Sequence, residues 1–359
     1  MSGAASAMLD QTGQVQTVQG LIPAERLGVT LPHEHLFVDL TRVFDPPKEA
    51  GERERAFAPF AMENLGWIRY NYFRHRDNLL LTDEATTIAE VGLFQHAGGG
   101  AIVDVSTPGI GRDPSALARV ARATGLHVVM STGFYVAATH PPGVAVASEE
   151  ELARGMVAEL SEGEVRAGII KVGCSYPLTT NEEKVLRAAA TAQRVTGAAI
   201  MIHVGRHDRS AHQIVGVLKK AGADLERAIL AHLELRIEHL TTLDELARTG
   251  CYLEFDLFGH ESSYYPLAPR DMPSDAQRLD LLAHVKKLGR LERILISHDI
   301  CTKHRLVRYG GHGYGYILEC VVPRMRSRGF SEAEIETILV KNPARVLAFA
   351  PARGGTAHG

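Results

Sequence analysis

The chain has no apolar run long enough to cross a bilayer as a helix, which argues against a membrane-spanning protein. Its opening residues, Met1 to Ser6, lack a basic region followed by an apolar stretch, so no secretory signal is expected and a cytoplasmic setting is. Cysteine is scarce. Cys174, Cys251, Cys301 and Cys320 lie far apart with no C-x-x-C spacing, which fits reduced thiols better than a disulfide framework. No charge of one sign dominates: the formal net charge is -3 and the lysines and arginines are scattered. That disfavours nucleic acid and anionic membrane surfaces as partners and leaves a small molecule. Tandem repeats, low-complexity blocks and linkers are also missing. One domain over residues 1–359 is expected, with flexible ends at 1–14 and 351–359. Gly98-Gly99-Gly100 precedes an apolar segment with no Gly-Lys-Ser/Thr after it, so it reads as a turn, not a phosphate cradle.

What is present is ample apolar material, 45% of 359 residues. It falls into short β-rich segments: Val29 to Leu31, Ala101 to Val105, His127 to Ser131, Gly168 to Val172, Ala199 to Val204, Ala228 to His232, Cys251 to Phe255 and Arg293 to Ser297. Most are continuous apolar runs, as expected of parallel strands covered on both faces. Helical patterns lie between them. Thr82 to Ala97 opens Thr-Asp-Glu, and Asp113 to Thr124 opens with a cap followed by proline. Thr180 to Thr196 and Asp275 to Leu288 are amphipathic, and Ser331 to Val340 begins with a capping-box pattern. Alternation of this kind predicts an α/β fold, a (β/α)8 TIM barrel, whose functional residues gather at the C-terminal ends of the strands.

His33-Glu34-His35 ends the first segment, and residues two apart on a strand share a face. Lys171, His203, His232 and Asp299 close other segments. One histidine or lysine at a strand end is more often structural. Six such residues on five strands point instead to a two-metal hydrolase centre. Four histidines and one aspartate supply a single negative charge against two divalent ions. Lys171, in Gly168-Ile169-Ile170-Lys171-Val172-Gly173, lies among apolar residues that would lower its pKa and free its amine. A free amine can add carbon dioxide to form a carbamate, a bidentate anion. The plainer alternative is a lysine salt-bridged inside the barrel.

With these motifs the chain resembles the phosphotriesterase family of the amidohydrolase superfamily, from about Val15 to Phe349. The resemblance rests on Leu31-Pro32-His33-Glu34-His35, Ile170-Lys171-Val172, Ile202-His203-Val204-Gly205, Ala231-His232-Leu233, Ile296-Ser297-His298-Asp299 and Lys341-Asn342-Pro343-Ala344-Arg345. It implies that His33, His35 and Asp299 ligate the more buried of two metals, that His203 and His232 ligate the more exposed one, and that carboxylated Lys171 bridges both. Gly133 to His140, Gly173 to Thr179, Gly250 to Gly259 and His298 to Tyr314 are most similar to the phosphotriesterase-related, or resiniferatoxin-binding, branch. Two departures stand out. Animal members of the branch carry glutamate where this chain has Lys171, and lactonase relatives carry arginine where it has Leu257.

The expected function is that of a binuclear zinc hydrolase, in which a metal-bridging hydroxide cleaves an ester, lactone, phosphoester or small N-acyl amide. The alternatives are a binding protein on the same barrel, with little or no turnover, and a lyase or isomerase. Asp299 would relay the proton through His232 or Glu234. Tyr135 would donate to the oxyanion or leaving group, if it is not simply packed. Lys303, His304, Arg305 and Arg308 follow the eighth strand and would either hold an anionic substrate or form a solvated turn. His260 and His312 are weaker pocket candidates, and Cys301 reads as a small buried thiol. Residues 40–81 form a long aromatic insertion, expected to be either a lid or a homodimer contact; residues 256–275, with Phe258, Tyr264 and Tyr265, form a second long connection.

Overall fold

The structure is a computed structural model that describes residues 11–261, 265, 267 and 270–353. Eight strands carry the chain through it: β1 (Thr30–Glu34), β2 (Ala101–Asp104), β3 (His127–Phe134), β4 (Ile169–Gly173), β5 (Ala199–His203), β6 (Ala228–Ala231), β7 (Tyr252–Phe255) and β8 (Ile294–Ile296). They form one sheet in sequential order, and every neighbouring pair is parallel. The two edges approach one another, and the Asp299 amide donates to the His33 carbonyl at 3.1 Å. A sheet whose first and last strands meet in this way is a barrel. Every predicted segment is a strand, with ends that differ by a few residues.

Burial explains the apolar runs. Alternate residues serve two cores. Val103, Val129, Ile169, Met201, Ile229 and Leu295 pack inside the barrel. Ile102, Val128, Ile170, Ile202, Leu230 and Ile294 pack under the surrounding helices. Both faces of the sheet are therefore dry. The predicted helices are present at Glu84–His96, Pro114–Thr124, Thr180–Thr196 and Asp275–Lys287. Asp83, Asp113, Thr179 and Ser274 cap them with side-chain bonds to the first-turn amides. The Ser331 pattern opens Glu332–Glu336 with a full capping box, after which the helix widens to π geometry over Thr337–Lys341. Further helices at Glu149–Ser161, Ser210–Lys220 and Leu240–Ala247 complete the outer layer.

At the other end of the barrel a hairpin, Gln14–Thr17 with Gly20–Pro23, covers the strand N-termini. Gly13 donates to Phe349 at 2.9 Å, so residues 11–14 are tied down; residues 1–10 and 354–359 lie outside the described residues. The long insertion is not a featureless loop either. Val38–Asp39 pairs antiparallel with Leu80–Leu81 and pins its two ends. Between them lie the short helices Ala50–Phe57 and Leu65–Tyr70. The Phe60 ring stands 4.9 Å from that of Tyr309, and Arg69 donates to the Gly310 carbonyl, so the insertion leans on the loop after β8.

Candidate functional site

Strict alternation would aim His33 the wrong way. Leu31 packs outward, and His33 is two residues on. The pairing of β1 with β2 slips between Leu31 and Glu34, and this bulge resets the pleat so that both imidazoles face the lumen. His232 has a similar problem, since Leu230 is also outward. Its backbone turns through the left-handed region, φ 63°, and Asp299 does the same at φ 53°. Among the described residues these are the only non-glycine positions with positive φ. Such conformations carry strain of order 1–3 kcal/mol each and persist where the surroundings over-determine them.

The result is a cluster at the C-terminal mouth. Lys171 Nζ lies 3.0 Å from His33 Nε2, His35 Nε2 lies 3.2 Å from Asp299 Oδ1, and His203 Nδ1 lies 2.6 Å from His232 Nε2. Ligand atoms of His33, His232 and Asp299 all fall within 4.8 Å of one another. The far side of each ring is held. Asp256 accepts from His33 Nδ1 at 2.8 Å and from His232 Nδ1 at 2.7 Å, and Ser106 Oγ bonds His35 Nδ1 at 2.8 Å. A carboxylate on Nδ1 fixes the proton there and presents the Nε2 lone pair to the cluster. Glu34, between the two histidines of β1, is fully buried. It accepts from Ser297 Oγ, His298 N, His298 Nδ1 and Ile300 N at 2.7–2.9 Å, and so clamps the loop that carries Asp299. Asp104 does the same for the chain beside His35, accepting from the Leu36 and Ser106 amides.

Electrostatics mark the cluster as a site for positive charge. Burial would raise the Asp299 carboxyl, and His33, His35 and His232 around it hold it down to about 2. Burial and Lys171 oppose a charge on His33, but Asp256 and Asp299 outweigh them and lift it to about 10, so a cation beside Nε2 would take the place of a proton there. Burial lowers Lys171 to about 8 against the pull of Asp299, Glu254 and Asp256. Glu254, 3.5 Å from His33 Nδ1, is buried with neither oxygen hydrogen-bonded; burial raises its carboxyl to about 7. Imidazole nitrogens turned toward one another at 2.6 Å in the His203–His232 pair, with buried carboxylates behind the cluster, fit a cation among them. These His and Asp groups could hold metal ions.

Above the cluster opens a cavity of about 470 Å³, the size of a small-molecule site. The sequence matches the family model of the phosphotriesterase family over residues 13–347. The chain belongs to the phosphotriesterase family. It is 43% identical to the human N-acetyltaurine hydrolase over 352 residues, covering 95% of this chain and all of that one. A resiniferatoxin-binding protein from Rhodobacter sphaeroides superposes with a TM-score of 0.90 at 37% identity, covering 96% of each chain. The lactonase Lmo2620 from Listeria monocytogenes superposes at 0.74 with 25% identity, covering 94% of this chain and 99% of that one. This family member is a hydrolase, and amide or ester hydrolysis fits its site.

Tyr135 lines the cavity, with its hydroxyl 3.3 Å from His203 Nδ1. The cationic loop does not behave as a unit. Lys303 pairs with Asp77, His304 is buried against Asn78 and Arg308 is exposed, so of that run only Arg305 borders the cavity. Its guanidinium donates to the carbonyls of Asp299, His298 and Phe258, stapling the Asp299 loop. Glu234 does not reach the cavity. Its Oε1 accepts from the Leu257 amide at 2.8 Å and lies 3.3 Å from Arg278 Nε. His260 and Cys301 border the cavity; His312 stacks on His298 behind it. Tyr264 lies outside the described residues.

Sequence reading missed the holding residues Asp256, Ser106 and Asp104, and two arginines, Arg206 and Arg236, that border the cavity. Asp256 had a legible signal, lying one alternation step past Glu254 on β7. The arginines had none, because Arg206 lies on a loop and Arg236 ends the one-turn helix Leu233–Arg236, and only the fold sets where either points.

Proposed function

We propose that this chain is a binuclear metal-dependent amide hydrolase, acting on N-acetyltaurine or a close N-acyl amide. The convergence of His33, His35, Lys171, His203, His232 and Asp299 at the floor of one cavity carries the reading. The relative named for N-acetyltaurine hydrolysis supports the choice of substrate. Leu257 borders the cavity, where lactonase relatives carry arginine, and this favours an amide over a lactone.

In this reading His33, His35 and Asp299 would hold one ion, His203 and His232 would hold the other, and Lys171, as a carbamate, would supply a shared anionic ligand. Zinc suits the imidazole-rich set. When bound, such ions polarise a carbonyl and make water nucleophilic near neutral pH. The protein does the rest. Tyr135, beside His203, donates to the carbonyl oxygen as it gains charge. Water oxygen bonds to the carbonyl carbon, Asp299 takes the proton at its carboxylate, and the C–N bond breaks as that proton passes to the leaving nitrogen. His35 Nε2, 3.2 Å from Asp299 Oδ1, fixes the position of the carboxylate that takes the proton. Tyr72 and Phe73 of the insertion border the cavity, which supports a lid role, while the exposed Phe57, Met62 and Tyr70 leave a surface for a homodimer.

The test is a substrate panel on zinc-loaded enzyme in bicarbonate: N-acetyltaurine, a lactone, an aryl ester and a phosphotriester. N-acetyltaurine is expected to give the highest kcat/KM, and Lys171→Met to lower it by more than about 100-fold. Full activity in Lys171→Met would refute the bridging role, and no cleavage of N-acetyltaurine would refute the substrate.

A further inference from the structure

Beyond the histidine cluster the cavity wall is unusually cationic. Arg206 lies three residues past His203, and Arg236 four past His232. Arg236 is 4% exposed, and its Nε donates to the Val204 carbonyl at 2.8 Å, which fixes the guanidinium in place. Arg206 stands at the more open side and donates from Nε to the Tyr265 hydroxyl at 2.9 Å. Tyr265 also lies within electrostatic reach of Arg236, so its phenol is flanked by the two guanidiniums. Among the described residues no carboxylate comes within 4.0 Å of either arginine, although Arg112, Arg270 and Arg278 each have one. A buried guanidinium without a counterion is costly.

A second observation points to the same place. The Tyr72 hydroxyl is buried without a hydrogen-bond partner, and Tyr72 borders this cavity. Its ring packs with Tyr265, Leu235, Leu257 and Met272, so the unpaired hydroxyl belongs to the arginine end. An orphaned phenol beside two guanidiniums that lack a carboxylate partner makes a donor-rich corner able to take an anionic acceptor.

We propose that Arg206, Arg236, Tyr265 and Tyr72 form a subsite for the anionic end of the substrate, built for a sulfonate in preference to a carboxylate. Donors that come from the loops after β5, β6 and β7 and from the insertion surround a tetrahedral group with three acceptor oxygens better than a planar one with two. Leu235, Leu257 and Met272 supply an apolar wall for a short methylene spacer. The acyl end then lies toward Tyr135 and Lys171. The choice of sulfonate rests on the amide-hydrolase reading above; the existence of an anion subsite does not.

The test uses unreactive probes on the holoenzyme. Ethanesulfonate and propionate are titrated by calorimetry, and N-acetyltaurine is compared with neutral N-ethylacetamide in steady-state assays. Arg206→Gln, at the open side, is the variant expected to fold without difficulty; Arg236→Gln and Tyr72→Phe accompany it. Ethanesulfonate is expected to bind at least about tenfold more weakly to Arg206→Gln and Arg236→Gln, and about threefold more weakly to Tyr72→Phe. KM for N-acetyltaurine is expected to rise at least about tenfold more than KM for N-ethylacetamide. Weakened ethanesulfonate binding in an enzyme that does not cleave N-acetyltaurine would uphold the subsite while refuting the proposed substrate. Unchanged ethanesulfonate affinity in Arg206→Gln would overturn the subsite, and equal affinity for propionate would overturn its preference for sulfonate.

Discussion

At the scale of single residues, the groups that carry the chemistry are outnumbered by those that hold them. Asp256 serves two imidazoles at once, accepting from His33 and His232 with different oxygens and from the His232 amide with one of them. Asp256→Asn replaces one acceptor oxygen with a donor group and so unsettles the tautomer of one histidine. Metal affinity is expected to fall about 10- to 100-fold, measured by competition with a chelator, while the fold survives. Glu34 has a parallel duty toward the Asp299 loop. It sits between two ligand-type histidines, and the sequence alone gives no sign whether it is a ligand or a clamp. Its four short hydrogen bonds to β8 and the loop beyond decide for the clamp. Arg305 shows the opposite correction. A lone arginine beside the site invites an anion, but its guanidinium is committed to three backbone carbonyls.

At the scale of elements, β3 and β4 show how tightly the site is built. Gly133 pairs with Lys171, at φ +102°, and a Cβ there would lie 2.2 Å from the Lys171 carbonyl oxygen. Gly133→Ala therefore meets both a backbone conformation that alanine resists and a collision with backbone. It is expected to destabilise the protein by at least about 2 kcal/mol and to weaken metal retention, read by chemical denaturation and by metal analysis after dialysis. The helices were legible because their start signals are local: aspartate, threonine or serine caps in contact with amides two or three residues on. The β1 bulge was not legible. It arises from pairing with β2, where Thr30 meets Ala101, a partner far along the chain. The insertion lay between these cases. Its aromatic content announced packing, but only the contacts of Phe60, Arg69 and Asp77 show that it packs on the loop after β8.

At the scale of the whole molecule, many histidines are buried as neutral groups around the barrel mouth. Burial, then Arg305, pushes His304 down to about 3, and the same influences lower His260 and His312 well below the ordinary range. In the unfolded chain these groups take up protons below about 6.5, and in the folded protein they do not. The unfolded state therefore binds more protons, so stability falls as pH drops from 6.5 toward 3. Denaturant unfolding at pH 6.5, 5.5 and 4.5 is expected to show this loss. His304→Gln removes one such group, flattening the slope by up to about 1.4 kcal/mol per pH unit. By itself the sequence determined the eight apolar runs, their alternation with capped helices, and the six ligand-type side chains, because burial on both faces of a sheet and capping are read within one segment. The tertiary structure alone decided which way those side chains point, through a bulge at His33 and left-handed turns at His232 and Asp299. It also decided which cations stay unpaired at the cavity wall, because the presence of a counterion depends on residues that meet only when the barrel closes.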